Sequence, residues 1–170
     1  MNATRPGAWT LEPLRAEHAP ALLAFERENR AYFARTVPDR GDAYFTEFTT
    51  RHQALLDEQD TGLSRFHLVV THDGTVAGRV NLIDIEDGGA ELGYRIGEHA
   101  AGRGLATAAV TEICRLAAAT YGLSRITAVT TLDNAASRAV LTRNGFTQVD
   151  TPTVDGRPGI RYERALTPTS

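Results

Sequence analysis

The sequence predicts an α+β protein with α/β/α layering, in which a central, twisted, mostly antiparallel sheet is flanked by helices. Three observations carry this. Strand-like alternation fills most of the stretch from Arg65 to Ile96, with turn residues between its runs. A long alanine-rich helical pattern opened by two glycines follows it. Helical spacing before the meander, and strand and helix patterns after it, supply the flanking layers. A length of 170 residues suits one domain that can bury a core without metals or disulfides, so residues 1–170 are expected to form a single domain.

The elements follow in order. Met1 to Ala8 is polar, contains Pro6-Gly7 and is expected to be a flexible arm. Thr10 to Leu14 is a short first strand, with Pro13 placing it at an edge or a strand end. From His18 to about Arg35, Leu22, Phe25, Tyr32 and Phe33 recur at helical spacing, which predicts one helix ending before Pro38. Asp42 is the expected N-cap of a second helix through Phe45, Phe48, His52, Leu55 and Leu56. Phe66, Leu68 and Val70 then alternate with Arg65, His67 and Val69, and Asp73-Gly74 marks a hairpin turn before Val76, Gly78, Val80 and Leu82. At Leu82-Ile83 the apolar phase slips, as a bulge would cause. After the Glu86 to Gly89 turn, Ala90, Leu92, Tyr94 and Ile96 share one face and Glu91, Gly93 and Arg95 the other. Leu105, Ala109, Ile113, Leu116, Ala117 and Thr120 give the long helix, ended by Tyr121-Gly122. A β-branched strand from Arg125 to Thr130, a helix from Asn134 to about Asn144 with Gly145 as its C′ residue, and a terminal hairpin from Thr147 to Leu166 complete the order.

Composition excludes several function classes. The net charge is −3 with both signs interleaved, which argues against a general nucleic-acid binder. All 18 basic residues are arginine, so the glycines near 102 are not a P-loop, which needs its lysine to reach the phosphates. The five histidines lack metal-ligand spacing and Cys114 is the only cysteine, so no metal site is expected and Cys114 is expected to pack as a small hydrophobe. No apolar run approaches a membrane span, and no membrane partner is expected. A reducing, cytoplasmic location fits.

The segment from Ala90 to Thr107 is the most telling. A strand leads through a short connection into Gly102-Arg103-Gly104, which opens a helix. The first N–H groups of a helix have no intrahelical partner, and glycines let an anion approach them. Read from the residues alone, this is a phosphate cradle or simply a strand-to-helix turn. A dinucleotide site would need a parallel βαβ order before the glycines, and the meander is antiparallel.

Further motifs accompany it in order: Glu91-Leu92-Gly93-Tyr94 before the glycines, then Asn134-Ala135-Ala136-Ser137-Arg138 and Gly145-Phe146 after them. With His99-Ala100-Ala101-Gly102-Arg103-Gly104, the chain from about Arg79 to Val149 resembles the GNAT superfamily of N-acetyltransferases, in the branch of RimJ- and RimL-type ribosomal-protein N-terminal acetyltransferases. The family signature is Gln/Arg-x-x-Gly-x-Gly/Ala, and His99 departs from its leading residue. The resemblance implies the GNAT fold, with its sheet splayed at the coenzyme A site, and acetyl-CoA as cosubstrate. It also implies that N–H groups of Gly102, Arg103, Gly104, Leu105, Ala106 and Thr107 hold the pyrophosphate. Arg103 adds a charged contact. The pantetheine would pair with the strand at Tyr94 and Ile96, Asn134 would bond its amide, and Ser137 would sit near the sulfur. A homodimer through the terminal strands is a further implication.

Acetyl transfer to an amine needs a neutral amine, a polarised carbonyl and a stabilised thiolate. Ser137 is the candidate donor to the leaving sulfur. Glu91, ahead of Asp84, is the candidate proton acceptor, although an α-amine titrating near pH 8 is partly neutral without one. Each residue also has a purely structural use: Asn134 and Ser137 at a helix start, Glu91 on a solvated sheet face, Tyr94 in the core. The acceptor stays open among a protein N-terminus, an antibiotic amine and a metabolite amine. A non-catalytic CoA-binding sensor is the competing class.

Overall fold

The computed structural model describes residues 9–167; the expected N-terminal arm lies outside them. The strands are β1 (Trp9–Pro13), β2 (Arg65–Thr71), β3 (Val76–Glu86), β4 (Gly89–Ile96), β5 (Arg125–Thr131), β6 (Thr147–Asp150), β7 (Thr153–Val154) and β8 (Arg157–Ala165). The helices are α1 (Ala19–Glu28), α2 (Arg30–Phe33), α3 (Asp42–Thr46), α4 (Phe48–Asp60), α5 (Leu105–Ala119) and α6 (Ala135–Arg143). The sheet runs β1-β2-β3-β4-β5-β8-β6, with β7 folded back on β8. Every pairing is antiparallel except β4 with β5.

Two apolar layers sandwich this sheet. On one face Val80, Leu82, Ala90 and Leu92 pack with Ala109, Val110, Ile113 and Ala117 of α5 and with Val140 and Leu141 of α6. On the other, Phe66, Leu68, Val70 and Val76 pack with Leu22, Phe25, Phe33, Tyr44 and Phe48 from α1 to α4. The alternation of β2 explains the division: neighbouring residues feed opposite layers. Cys114 is buried, and burial pushes its thiol pKa up, in keeping with its role as a small core residue.

Several expectations are met in detail. Pro13 ends the edge strand β1, where a missing N–H costs no ladder bond. The phase slip in β3 is a register shift between Ile83 and Glu86, with Asp84 at φ 52°. Gly145, at φ 81°, follows the C-cap Asn144, and the Phe146 N–H bonds the Leu141 carbonyl at 3.0 Å.

Others are corrected. The helix expected from His18 to Arg35 breaks at Asn29, whose side chain donates to the Phe25 carbonyl and accepts from the Glu98 N–H. Such a side chain competes with the helix's own backbone bonds. Asp42 is not an N-cap: Gly41, at φ 87°, holds that position, and Asp42 pairs with Arg30 from within the first turn. The helix it was to open is in fact α3 and α4, parted at Glu47. The terminal hairpin is more elaborate, since β8 pairs with β5, β6 and β7.

Candidate active site

The site begins where two neighbouring strands part. β4 and β5 are paired only through Gly89, Ala90 and Glu91, opposite Arg125, Ile126 and Thr127. Beyond that rung, Leu92 to Ile96 pair with β3 alone, and Ala128 to Thr131 with β8 alone. The backbone edges facing each other across the gap therefore have hydrogen-bonding capacity that the sheet leaves unused. The result is a slot, closed at Glu91 and open at Ile96.

At the open end the chain turns through a 3-10 turn, Glu98–Ala100, into α5. Gly102 and Gly104 lie at φ 74° and 78°, and a Cβ added at either would meet nothing within 4 Å. The left-handed conformation, which L side chains adopt at a cost of about 1–2 kcal/mol, accounts for glycine here. The open space matches a site that a ligand approaches. Gly104 caps α5 without a side-chain hydrogen bond, and the first α5 bond to its carbonyl comes from Ala108. The N–H groups of Leu105, Ala106 and Thr107 thus fall in the turn that lacks intrahelical acceptors, with the positive end of the helix dipole behind them. Arg103 projects into solvent between the two glycines. These groups fit a pyrophosphate.

Asn29 and Asn144 brace the cradle. Asn29 accepts from the Glu98 N–H at 2.8 Å and fixes the connection to α1. Asn144 accepts from the Thr111 hydroxyl at 2.7 Å and donates to the Thr107 carbonyl at 3.2 Å, tying the end of α6 to the start of α5. His99 is turned to the surface and pairs with Glu28 at 3.0 Å. A cleft of about 750 Å³ lies between the cradle, α1 and the β2–β3 turn, with Trp9, Phe25, Val76, Leu105 and Arg103 among its walls.

Across the slot, Asn134 caps α6 by accepting the Ser137 N–H at 3.1 Å. Its oxygen is thus committed to the helix, which leaves its amide nitrogen as the group to offer a ligand. Ser137 is brought to Tyr94, their hydroxyl oxygens 3.0 Å apart, so one hydrogen bond joins the two walls. Burial raises the Tyr94 phenol pKa, with the Ser137 contact opposing. The phenol therefore stays protonated at neutral pH and can donate.

Glu91 stands on the last paired rung, opposite Ile83 and Thr127, and is exposed. It shares an acidic depression of about 250 Å³ with Asp84, Glu86 and Asp87. Strand alternation sets it on the face opposite Tyr94, roughly 16 Å along the strand from Ile96 at about 3.3 Å per residue. Asp84 itself sits in the β3 bulge, exposed. Glu91 and Asp84 thus lie at the floor of the slot and the cradle at its mouth.

The face of β4 that carries Glu91 holds a cluster the sequence reading missed. Glu26 of α1, 1% exposed, receives Arg40 at 2.9 Å, Arg79 at 2.8 Å and Arg95 at 3.4 Å. Tyr44 accepts from Arg79 at 3.1 Å. Burial alone would raise the Glu26 carboxyl pKa; Arg79 and Arg40 outweigh it and hold the group below the ordinary value. Burial, then the like charge of Arg40, lowers Arg95 to about 10 against the pull of Glu26. The available signals were Glu26 inside the apolar stripe of α1 and Arg79 and Arg95 directly opposite one another in the meander.

Among the described residues, no group of three or more His, Cys, Asp or Glu side chains could hold a metal ion, and no helix is long and apolar enough to cross a membrane. The curated proteins contain no significant match. Solved structures share the fold. Ribosomal-protein-S5-alanine acetyltransferase from Vibrio fischeri superposes with a TM-score of 0.88 at 19% identity, covering 97% of this chain and 96% of that one. RimL, a ribosomal L7/L12 α-N-protein acetyltransferase in complex with coenzyme A, gives 0.84 at 21%, covering 96% and 98%. Mycobacterium smegmatis RimJ with CoA-disulfide gives 0.84 at 22%, covering 94% and 82%. The family model described as "Acetyltransferase (GNAT) domain" matches residues 9–147. With slot, cradle and family match in agreement, the chain belongs to the GNAT acetyltransferases, enzymes that transfer an acetyl group from acetyl-CoA.

Proposed function

We propose that this protein acetylates a primary amine, a protein N-terminus foremost, by direct transfer from acetyl-CoA in a ternary complex. One observation carries the reading: the Tyr94–Ser137 hydrogen bond spans the slot whose mouth is the anion cradle. Phosphate binding and thioester chemistry thus fall along one line. N–H groups from Gly102 to Thr107, with Arg103, hold the pyrophosphate. The free edge of β4 at Tyr94 and Ile96 pairs with the pantetheine, and the Asn134 amide nitrogen donates to it.

Ser137, hydrogen-bonded to a protonated Tyr94, donates toward the departing sulfur. That stabilises the thiolate at the moment it forms. On the opposite face Glu91 takes the amine proton, directly or through water. The chain works as a single domain in the cytoplasm. A homodimer forms across the terminal strands, where β6 is an open sheet edge.

The test is acetyl-CoA-dependent CoA release over N-terminal peptides, polyamines, aminoglycosides and amino acids, with product mass showing one added acetyl. N-terminal peptides are expected to be the best substrates. Ser137→Ala is expected to lower kcat at least about ten-fold, below the roughly 10²–10⁴-fold typical of a full general acid or base because a hydroxyl is a weak acid, while CoA affinity is kept. Binding of acetyl-CoA with no turnover of any amine would favour a sensor instead.

A further inference from the structure

On the face of β4 turned away from Ser137, three successive positions differ in chemistry. Glu91 is an exposed carboxylate. Gly93 offers open space, a Cβ there meeting nothing within 4 Å. Arg95 contributes a guanidinium whose contact with Glu26, at 3.4 Å, is its one hydrogen bond among the described residues. The neighbouring strand adds to this. Asn81 is in register with Gly93 and Arg79 with Arg95. The Asn81 side-chain oxygen and the Arg79 Nε are both buried without a hydrogen-bond partner.

Unpaired buried polar atoms cost free energy, so each one that a native structure keeps calls for a partner or a role. The two atoms ask for opposite things: Asn81 Oδ1 lacks a donor and Arg79 Nε lacks an acceptor. The local charge points the same way. With Arg30 and its partners Asp39 and Asp42 counted, four guanidiniums still face three carboxylates. Arg95 and Arg40 keep side-chain exposures of 22% and 29%, so the cationic surplus reaches the surface. A small cavity beside them, with room for about one water at about 10 Å³, has Arg30, Arg40 and Arg95 in its lining together with Glu26 and Asp39.

We propose that the acceptor is an amine with a carboxylate close by, such as a peptide whose first or second residue is acidic. The amine sits over Gly93, where a rotation of the Asn81 side chain brings its buried oxygen to accept from it, and the carboxylate pairs with Arg95. The two positions are one rung pair apart, roughly 7 Å, the span from an α-amine to the side-chain carboxylate of a second residue; an acidic first residue, whose carboxylate lies closer to its own amine, reaches Arg95 less directly. A guanidinium suits this role because its fork matches a carboxylate. The proposal rests on the acetyltransferase reading above and names its substrate class.

The experiment compares one heptapeptide carrying Glu, Gln or Arg at its second position, and Asp or Asn at its first, by CoA release with acetyl-CoA saturating. The acidic peptides are expected to exceed their amide counterparts in kcat/KM by about ten-fold, or about 1.4 kcal/mol, mainly through KM. The Arg peptide should rank last. Arg95→Gln is expected to flatten the Glu-to-Gln ratio and Arg95→Lys to retain part of it, a readout that a purely structural role would not move. Asn81→Ala should slow every peptide alike. Equal turnover of the Glu, Gln and Arg peptides by the unaltered protein would overturn the proposal and leave the acetyltransferase reading standing. Turnover of polyamines but of no peptide would sink the N-terminal acceptor and this proposal together, whatever the folding of the variants.

Discussion

The two faces of β4 are built by different means. Toward α5 and α6 the site is made largely of backbone: two left-handed glycines, a helix start and strand edges left open by the splay. Toward α1 to α4 it is made of side chains, with Glu26, Arg40, Arg79 and Arg95 converging from four segments. A backbone-built site suits what is constant, as the phosphates and amides of a CoA donor are. A side-chain-built site can be recast by substitution, which suits the part that must tell one acceptor from another.

The largest expected effect falls on the side-chain face. Glu26→Ala leaves three guanidiniums facing one another without their shared carboxylate, and loss of one partner of a buried ion pair costs about 3–5 kcal/mol. Urea unfolding should show a much lower midpoint, and an unchanged midpoint would mean that the arginines do not depend on Glu26.

The next effect separates the two layers by pH. His67, buried beneath the end of α5 and within 2.6 Å of the Tyr121 hydroxyl, is lowered by burial, and then by Arg65, from 6.5 to about 4. Its folded value lies below its unfolded one, so the unfolded chain binds the proton first as pH falls. The contribution is present in full above pH 6.5 and is lost progressively toward about pH 4, to a total on the order of 3 kcal/mol. Glu26, also lowered, adds its loss only as pH falls below the ordinary carboxylate value of 4.5. Denaturation followed across pH should show the first loss in the parent and a much flatter curve between pH 6.5 and 4.5 in His67→Gln.

On the backbone face, Gly104→Val should weaken CoA binding by about ten-fold or more, since a β-branched residue resists the left-handed conformation. Gly104→Asn, which tolerates it, should keep most of the affinity. Titration calorimetry with CoA reads both, and normal binding by the valine variant would remove the cradle from the donor site. The smallest effect is at Asn134: replacement by Ala removes the α6 cap at about 1 kcal/mol. Asn134→Asp keeps the capping oxygen and loses the amide nitrogen, so a CoA affinity loss in the Asp variant alongside unchanged stability isolates the ligand role from the cap.

The same contrast decides what could be read from sequence. Gly102, Gly104, Asn134, Ser137 and the β3 bulge are local signals, each legible within one turn or one strand. The breaks at Asn29 and Glu47 were not legible, because propensity ran on through both. Asn29 stops its helix through a partner 69 residues away at Glu98. Glu26 meets Arg79 across 53 residues, and in sequence it is one more charged residue on a helix. Asp42 was misplaced for a related reason: a capping residue type sat beside a glycine that took the cap, and its carboxylate went to Arg30 instead.

The cage around Glu26 is made of arginine alone, in a chain where all 18 basic residues are arginine. A lysine there would set a nucleophilic amine beside the proposed acetyl-donor slot, in surroundings that lower a buried amine's pKa and so bare its lone pair. A guanidinium held at about 10, as Arg95 is, stays protonated at neutral pH and offers no such lone pair. An all-guanidinium cage thus supplies cationic charge that its own chemistry cannot consume: no side chain in it competes with the acceptor for the acetyl group.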